Sequence, residues 1–163
     1  MKYTIFKNWH YAMPPLISLK FNTTKLNFTF KFDDNCWYIN PTSSINKLYG
    51  ISYGIIGIHK NSIRIGWIPD KDKNRIKLYY YGYENESDHI GKHIAIIDTN
   101  VEYKINMFLY IINGEPMKLC ITLNNTSIYD DICKVKINWL GFGCKPYFGG
   151  NNTAPNKMSF YIT

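Results

Sequence analysis

Between Lys25 and Phe32 the chain alternates strictly, with Leu26, Phe28, Phe30 and Phe32 apolar and Lys25, Asn27, Thr29 and Lys31 polar. A period of two belongs to a strand with one dry face and one wet face, not to an amphipathic helix. The pattern returns along the chain. Ser62–Ile68 sets Ile63, Ile65 and Trp67 against Ser62, Arg64 and Gly66, and Arg75–Tyr83 sets Ile76, Leu78 and Tyr80 against Lys77, Tyr79, Tyr81 and Tyr83. Val101–Ile111, Met117–Leu123 and Met158–Ile162 repeat it. Shorter strands are expected near Tyr3–Phe6, Cys36–Ile39, Tyr49–Ile58, His93–Ile97, Ser127–Tyr129 and Lys134–Trp139. Strand formers dominate: 24 Ile, 14 Tyr and 9 Phe stand against 3 Ala, 4 Glu and no Gln, which disfavours a helical bundle. In 163 residues, many short strands and no convincing helix predict one all-β domain of two packed antiparallel sheets. Its expected extent is 19–163, preceded over 1–18 by an N-terminal strand and a proline-containing arm. Pro14 and Pro15 have no N–H to donate, so Asn8–Pro15 is read as an arm that lays Trp9 and Tyr11 onto something.

Two hairpins carry enough pattern to predict register. Folding at Pro69–Asn74 so that Trp67 faces Ile76 brings Ile65 to Leu78 and Ile63 to Tyr80 on the core side. Gly66 then meets Lys77, Arg64 meets Tyr79 and Ser62 meets Tyr81 on the other side. At Asn113-Gly114 a two-residue turn would set Leu109 against Lys118. A three-residue loop, Asn113-Gly114-Glu115, sets Leu109 against Leu119 and Met107 against Ile121, and is preferred.

The net charge is +7, but 17 of the 19 cations are scattered lysines and only Arg64 and Arg75 are arginines, which argues against a specific nucleic-acid reader. Cys36, Cys120, Cys133 and Cys144 form no CxxC pair and no zinc spacing. No stretch approaches the ~20 apolar residues of a membrane helix, and Met1–Phe6 does not open a secretory signal. Free thiols, folding in a reducing cytoplasm and no membrane insertion are therefore expected.

The predicted outward face of the central hairpin gathers Arg64, Lys77, Tyr79, Tyr81 and Tyr83. Such a face suits a glycan platform, a protein interface or a plain tyrosine ladder, and the sequence leaves the three open. With Trp9 these are the candidate ligand or partner residues. His89 and His93 are spaced i, i+4 beside Asp88, but Gly91 and the following strand pattern point to a solvated loop rather than a metal site. His59 is read as a solvated turn residue. The acids Asp33, Asp34, Asp70, Asp72, Glu84, Glu86, Asp130 and Asp131 look like turn acids, and no nucleophile elbow, P-loop or dinucleotide glycine set is present. No catalytic residue, metal or cofactor is assigned on these grounds. The Gly141–Pro155 tail is read as a crossover that returns the chain toward the early strands.

Asn46-Lys47-Leu48-Tyr49-Gly50, Asn61–Trp67, Ile76–Tyr81, and Pro146-Tyr147-Phe148-Gly149-Gly150 with Thr153-Ala154-Pro155 resemble, in that order, small jelly-roll proteins. These are of the concanavalin-A-like lectin/glucanase type, from gut Bacteroidetes and their crAss-like tailed phages. The resemblance implies a jelly-roll sandwich whose concave sheet holds a glycan or a partner. It also implies a non-catalytic structural or decoration protein of a phage virion, in an oligomer or assembly, with capsid protein or a surface glycan as partner. The alternative is a free carbohydrate-binding module or a small polysaccharide-active enzyme, a lyase or a glycosidase.

Overall fold

A computed structural model describes residues 1–15, 18–39, 44–54, 60–84, 88–111, 114 and 116–163. Thirteen strands form: β1 (Lys2–Ile5), β2 (Ala12–Met13), β3 (Ser18–Phe21), β4 (Lys25–Phe32), β5 (Asn46–Ser52), β6 (Ser62–Pro69), β7 (Arg75–Glu84), β8 (Asp88–Asp98), β9 (Tyr103–Tyr110), β10 (Lys118–Leu123), β11 (Thr126–Ile132), β12 (Leu140–Cys144) and β13 (Met158–Ile162). The helical content among the described residues is one 3-10 turn, Asp34–Cys36. A seven-stranded sheet runs β11-β10-β9-β4-β13-β1-β2 and a six-stranded sheet runs β3-β12-β5-β6-β7-β8. Every strand pairing is antiparallel, and the architecture is the expected jelly-roll sandwich.

The alternating residues build the core. Leu26, Phe28, Phe30 and Phe32 of β4 meet Ile63, Ile65, Trp67, Ile76, Leu78 and Tyr80 of β6 and β7, all buried. Phe32 and Trp67 bridge the two sheets with ring centroids 5.0 Å apart. The cysteines are free and Cys36, Cys133 and Cys144 are buried.

The tail returns as expected. β13 lies between β1 and β4, and the Met1 ammonium donates to the Ile162 carbonyl at 2.7 Å. The Leu109–Leu119 and Met107–Ile121 pairings also hold. The strands end at Tyr110 and Lys118, so the connection exceeds three residues; Asn113 and Glu115 themselves lie outside the described residues.

The central hairpin is displaced by two residues from its expected register: Trp67 pairs with Leu78, Ile65 with Tyr80, and Pro69 with Ile76. A shift of two keeps every side chain on its face, so apolar alternation cannot detect it. Turn chemistry decides. The Asp70 N–H donates to the Arg75 carbonyl at 2.8 Å, Asn74 takes φ 62°, and the buried Asp70 carboxylate accepts from the Lys71 N–H at 2.8 Å and pairs with the Lys77 ammonium at 2.9 Å. Cys36–Ile39 and Lys134–Trp139 do not form strands; β12 begins one residue after the second of them. The short β2 and β3 carry too little pattern to be seen in sequence.

Ile65 is fully buried between the sheets. Ile65→Ala is expected to cost about 2–5 kcal/mol in a urea unfolding titration, through lost burial and the cavity left behind.

Candidate functional site

Cross-strand partners share a face, so the register lists what lies on the outer side of the six-stranded sheet. One row crosses Cys144, Gly50, Arg64, Tyr81 and Gly91; the next crosses Lys47, Gly66, Tyr79 and His93. A cleft of about 420 Å³ opens among Ser44, Ile45, Lys47, Tyr81, His89, Gly91 and Gly150.

Lys47 reaches this face through a bulge. The β5–β6 register shifts between Lys47 and Tyr49, so Leu48 turns into the core and Lys47 turns out. Unbroken alternation from Gly50 would have aimed Lys47 inward. The Lys47 ammonium stands 4.6 Å from the centroid of the Tyr81 ring and 5.9 Å from that of Tyr147, and it donates to the Gly149 carbonyl at 3.3 Å. Burial, and secondarily the Arg64 charge, bring its pKa down to about 8.

Tyr147 is set beside Lys47 by two backbone hydrogen bonds: Lys47 N–H to the Tyr147 carbonyl at 2.8 Å, and Tyr147 N–H to the Lys47 carbonyl at 2.9 Å. The Asn46 carboxamide oxygen accepts from the Gly149 N–H at 2.6 Å, and its NH2 donates to the Tyr38 hydroxyl at 2.9 Å. The N-terminal arm closes the far side. His10 stacks on Tyr147 at 5.3 Å, and Tyr11 meets the same ring edge-on at 5.3 Å. Burial, and secondarily Tyr11, raise the Tyr147 hydroxyl above its ordinary pKa, so it holds its proton.

The predicted site residues divide. Arg64, Lys77, Tyr79, Tyr81 and Tyr83 do share the outer face. Arg64, expected open to a ligand, is only 2% exposed. Its stem crosses Gly50, where an added Cβ would fall 2.1 Å from the Ile63 carbonyl oxygen and 2.9 Å from Arg64 Cγ, and Lys47, Tyr81 and Cys144 are its electrostatic neighbours. Arg64 thus acts as a charge beneath the surface. Tyr81 is also buried, its hydroxyl donating to that of Tyr83 at 3.3 Å, while Tyr79 is half-buried with an edge contact to His93 at 5.5 Å. Lys77 is held by Asp70, which raises its pKa and keeps it at the hairpin turn. Trp9 sits on the β1–β2 turn against Phe6 at 5.3 Å, away from the described cleft lining.

His89 and His93 are not loop residues. Both lie on β8, where His89 approaches Tyr81 at 6.1 Å and Tyr83 at 6.0 Å. No group of three metal-binding side chains occurs among the described residues. His59 and Glu86 lie outside them. Sequence reading passed over Lys47 as a site residue. Tyr147 sat in a segment read as structural, although its dense Gly, Pro and aromatic content was the available signal.

No protein-family model matches the chain, and no curated protein is similar to it in sequence. Solved structures are similar in fold. A variant of the alginate lyase Aly36B in complex with an alginate trisaccharide superposes with a TM-score of 0.68 at 17% identity, covering 99% of this chain and 78% of that one. An endo-β-1,4-glucuronan lyase from the fungus Trichoderma reesei superposes at 0.57 with 11% identity, covering 99% and 76%. The marine alginate lyase AlyA1 from Zobellia galactanivorans superposes at 0.51 with 11% identity, covering 100% and 64%.

These neighbours support the jelly-roll half of the resemblance drawn from sequence; they carry nothing about phages or gut bacteria. They overturn the expectation of a non-catalytic decoration protein of a virion, and with it the expectation that the chain is not an enzyme. The outer face assembles lysine, tyrosine and histidine side chains.

The lowered Lys47 pKa has a stability consequence. Between about 8 and the ordinary 10.5, the unfolded chain holds a proton on Lys47 that the folded one has released, so the contribution of Lys47 to stability rises with pH across that window, while the buried thiols of Cys36 and Cys144, held above their ordinary pKa, act in the opposite sense. Lys47→Met is expected to remove this contribution alone, read as a difference in urea midpoint between the protein and the variant that shifts in favour of the protein from pH 8 to pH 10.5.

Proposed function

We propose that this protein is a polysaccharide lyase that cleaves an acidic, uronate-containing glycan of the alginate or glucuronan class by β-elimination. The observation that carries the reading is the buried Lys47, titrating at about 8, held between Tyr81 and Tyr147 with Arg64 beneath. The lyase names of the fold neighbours support it.

Elimination asks for three things. The uronate carboxylate must be neutralised so that the proton on C5 becomes removable, a base must take that proton, and an acid must protonate the leaving oxygen at C4. The positive field of the Arg64 guanidinium serves the first in a low-dielectric setting where fixed charge acts strongly. Lys47 in its neutral form is the base, and its pKa near the working range is what general base catalysis favours. The Tyr147 hydroxyl, kept protonated, is the acid. The C5–H and C4–O bonds break, a C4=C5 double bond forms, and proton return from the Lys47 ammonium to the Tyr147 phenolate resets the pair. The step is redox-neutral.

Incubation with alginate and with glucuronan, followed by the ultraviolet absorbance of the new double bond, tests the reading. Unsaturated product is expected, at a rate that rises as pH passes through about 8. Lys47→Met and Tyr147→Phe should each lower that rate by about 10²–10⁴-fold with the fold intact. Binding of either polymer without unsaturated product would overturn the lyase reading and leave a binding module.

A further inference from the structure

The outer face of the six-stranded sheet continues past the cleft to β3, and there its character changes. The register carries one row from His89 and Tyr83 through Ser62, Ser52 and Phe142 to Leu19, and the next position pairs Leu140 with Phe21. The Phe21 and Trp139 rings stack with centroids 6.2 Å apart and planes inclined by 26°. Leu19, Phe21 and Trp139 are 55%, 60% and 65% exposed. A contiguous apolar patch of this kind on a sheet edge marks a contact surface.

We infer that Phe21 and Trp139 form a distal subsite that stacks on the ring faces of an acidic glycan whose reacting residue lies at the Lys47 cleft; this rests on the functional reading above. Three observations select this occupant. First, patch and cleft share one face of one sheet; Lys47 on β5 is two strand steps from β3, about 10 Å across the strands, and the Phe21 row lies beyond Ser52, about 20 Å along them, a span suited to several linked pyranose rings. Second, two exposed aromatic rings in mutual contact offer ring surface to the C–H face of a sugar. Third, the described stretches 18–21, 44–54, 60–64 and 134–145, which form or adjoin this half of the sheet, contain no Asp or Glu and carry Lys20, Lys47, Lys60, Arg64, Lys134, Lys136 and Lys145. A ligand that is both anionic and able to stack meets both conditions. A second copy of this chain, with its net +7, would bring like charge to the same ground.

The test uses the full chain with Tyr147→Phe, so that substrate is retained, alone and combined with Phe21→Ala or Trp139→Ala. Oligouronates from disaccharide to octasaccharide are titrated by calorimetry. Removing either ring is expected to weaken octasaccharide binding about tenfold, in line with the loss of one stacked aromatic contact, and to leave the disaccharide unaffected. Thermal melting confirms that the variants fold. Equal loss at every length, or no loss at any, overturns the subsite. So does a concentration-dependent dimer that Phe21→Ala abolishes while octasaccharide binding is unchanged. If uronans yield no unsaturated product but the length-dependent loss persists, the lyase reading falls and the subsite stands.

Discussion

The contact between Phe32 and Trp67, 5.0 Å apart across the two sheets, stands for the constraint on which the molecule depends. Side chains of β4, β6 and β7 enter one dry interior, and because they enter at every second residue the intervening ones must leave it. Arg64, Tyr79 and Tyr81 face outward for the same reason that Ile63, Ile65 and Trp67 face inward. A slip of one residue in β6 would send the guanidinium into the core and the indole into water. Core packing therefore holds the candidate site in place without touching it.

Several long-range contacts then converge on one lysine. The bulge in β5 turns Lys47 outward, the returning tail pairs with it through Tyr147, Asn46 anchors Gly149, and His10 and Tyr11 of the arm back the tyrosine. Placing an amine in a half-dry cleft next to a guanidinium disfavours its charged form, and the fold accepts that cost locally. Such a strained charge belongs to a site more often than to a scaffold. The outer face is thus graded. A charged and hydroxylated cleft lies toward β7 and β8, and an apolar ring platform lies toward β3.

Much of the fold was legible because half-buried strands write their faces into the sequence. β4 and β13 run over the residues that alternation predicted, and the β9–β10 register followed from matching faces across Gly114. The central hairpin shows the limit of that reading. A two-residue shift preserves every face, so its phase was set by hydrogen bonds around Asp70 and by Asn74, not by hydrophobicity. The site was less legible still. Arg64, Lys77, Tyr79, Tyr81 and Tyr83 were rightly gathered on one face, yet face alone does not tell that Asp70 takes Lys77 or that Arg64 is covered.

The sequence by itself determined the all-β class, the two-sheet sandwich and the inward or outward sense of the regular strands, because a period of two is a local property that burial reads directly. Only the tertiary structure decided which outward residues meet. Lys47 and Tyr147 stand a hundred residues apart and become neighbours through a crossover and a bulge, and neither device leaves a periodic trace.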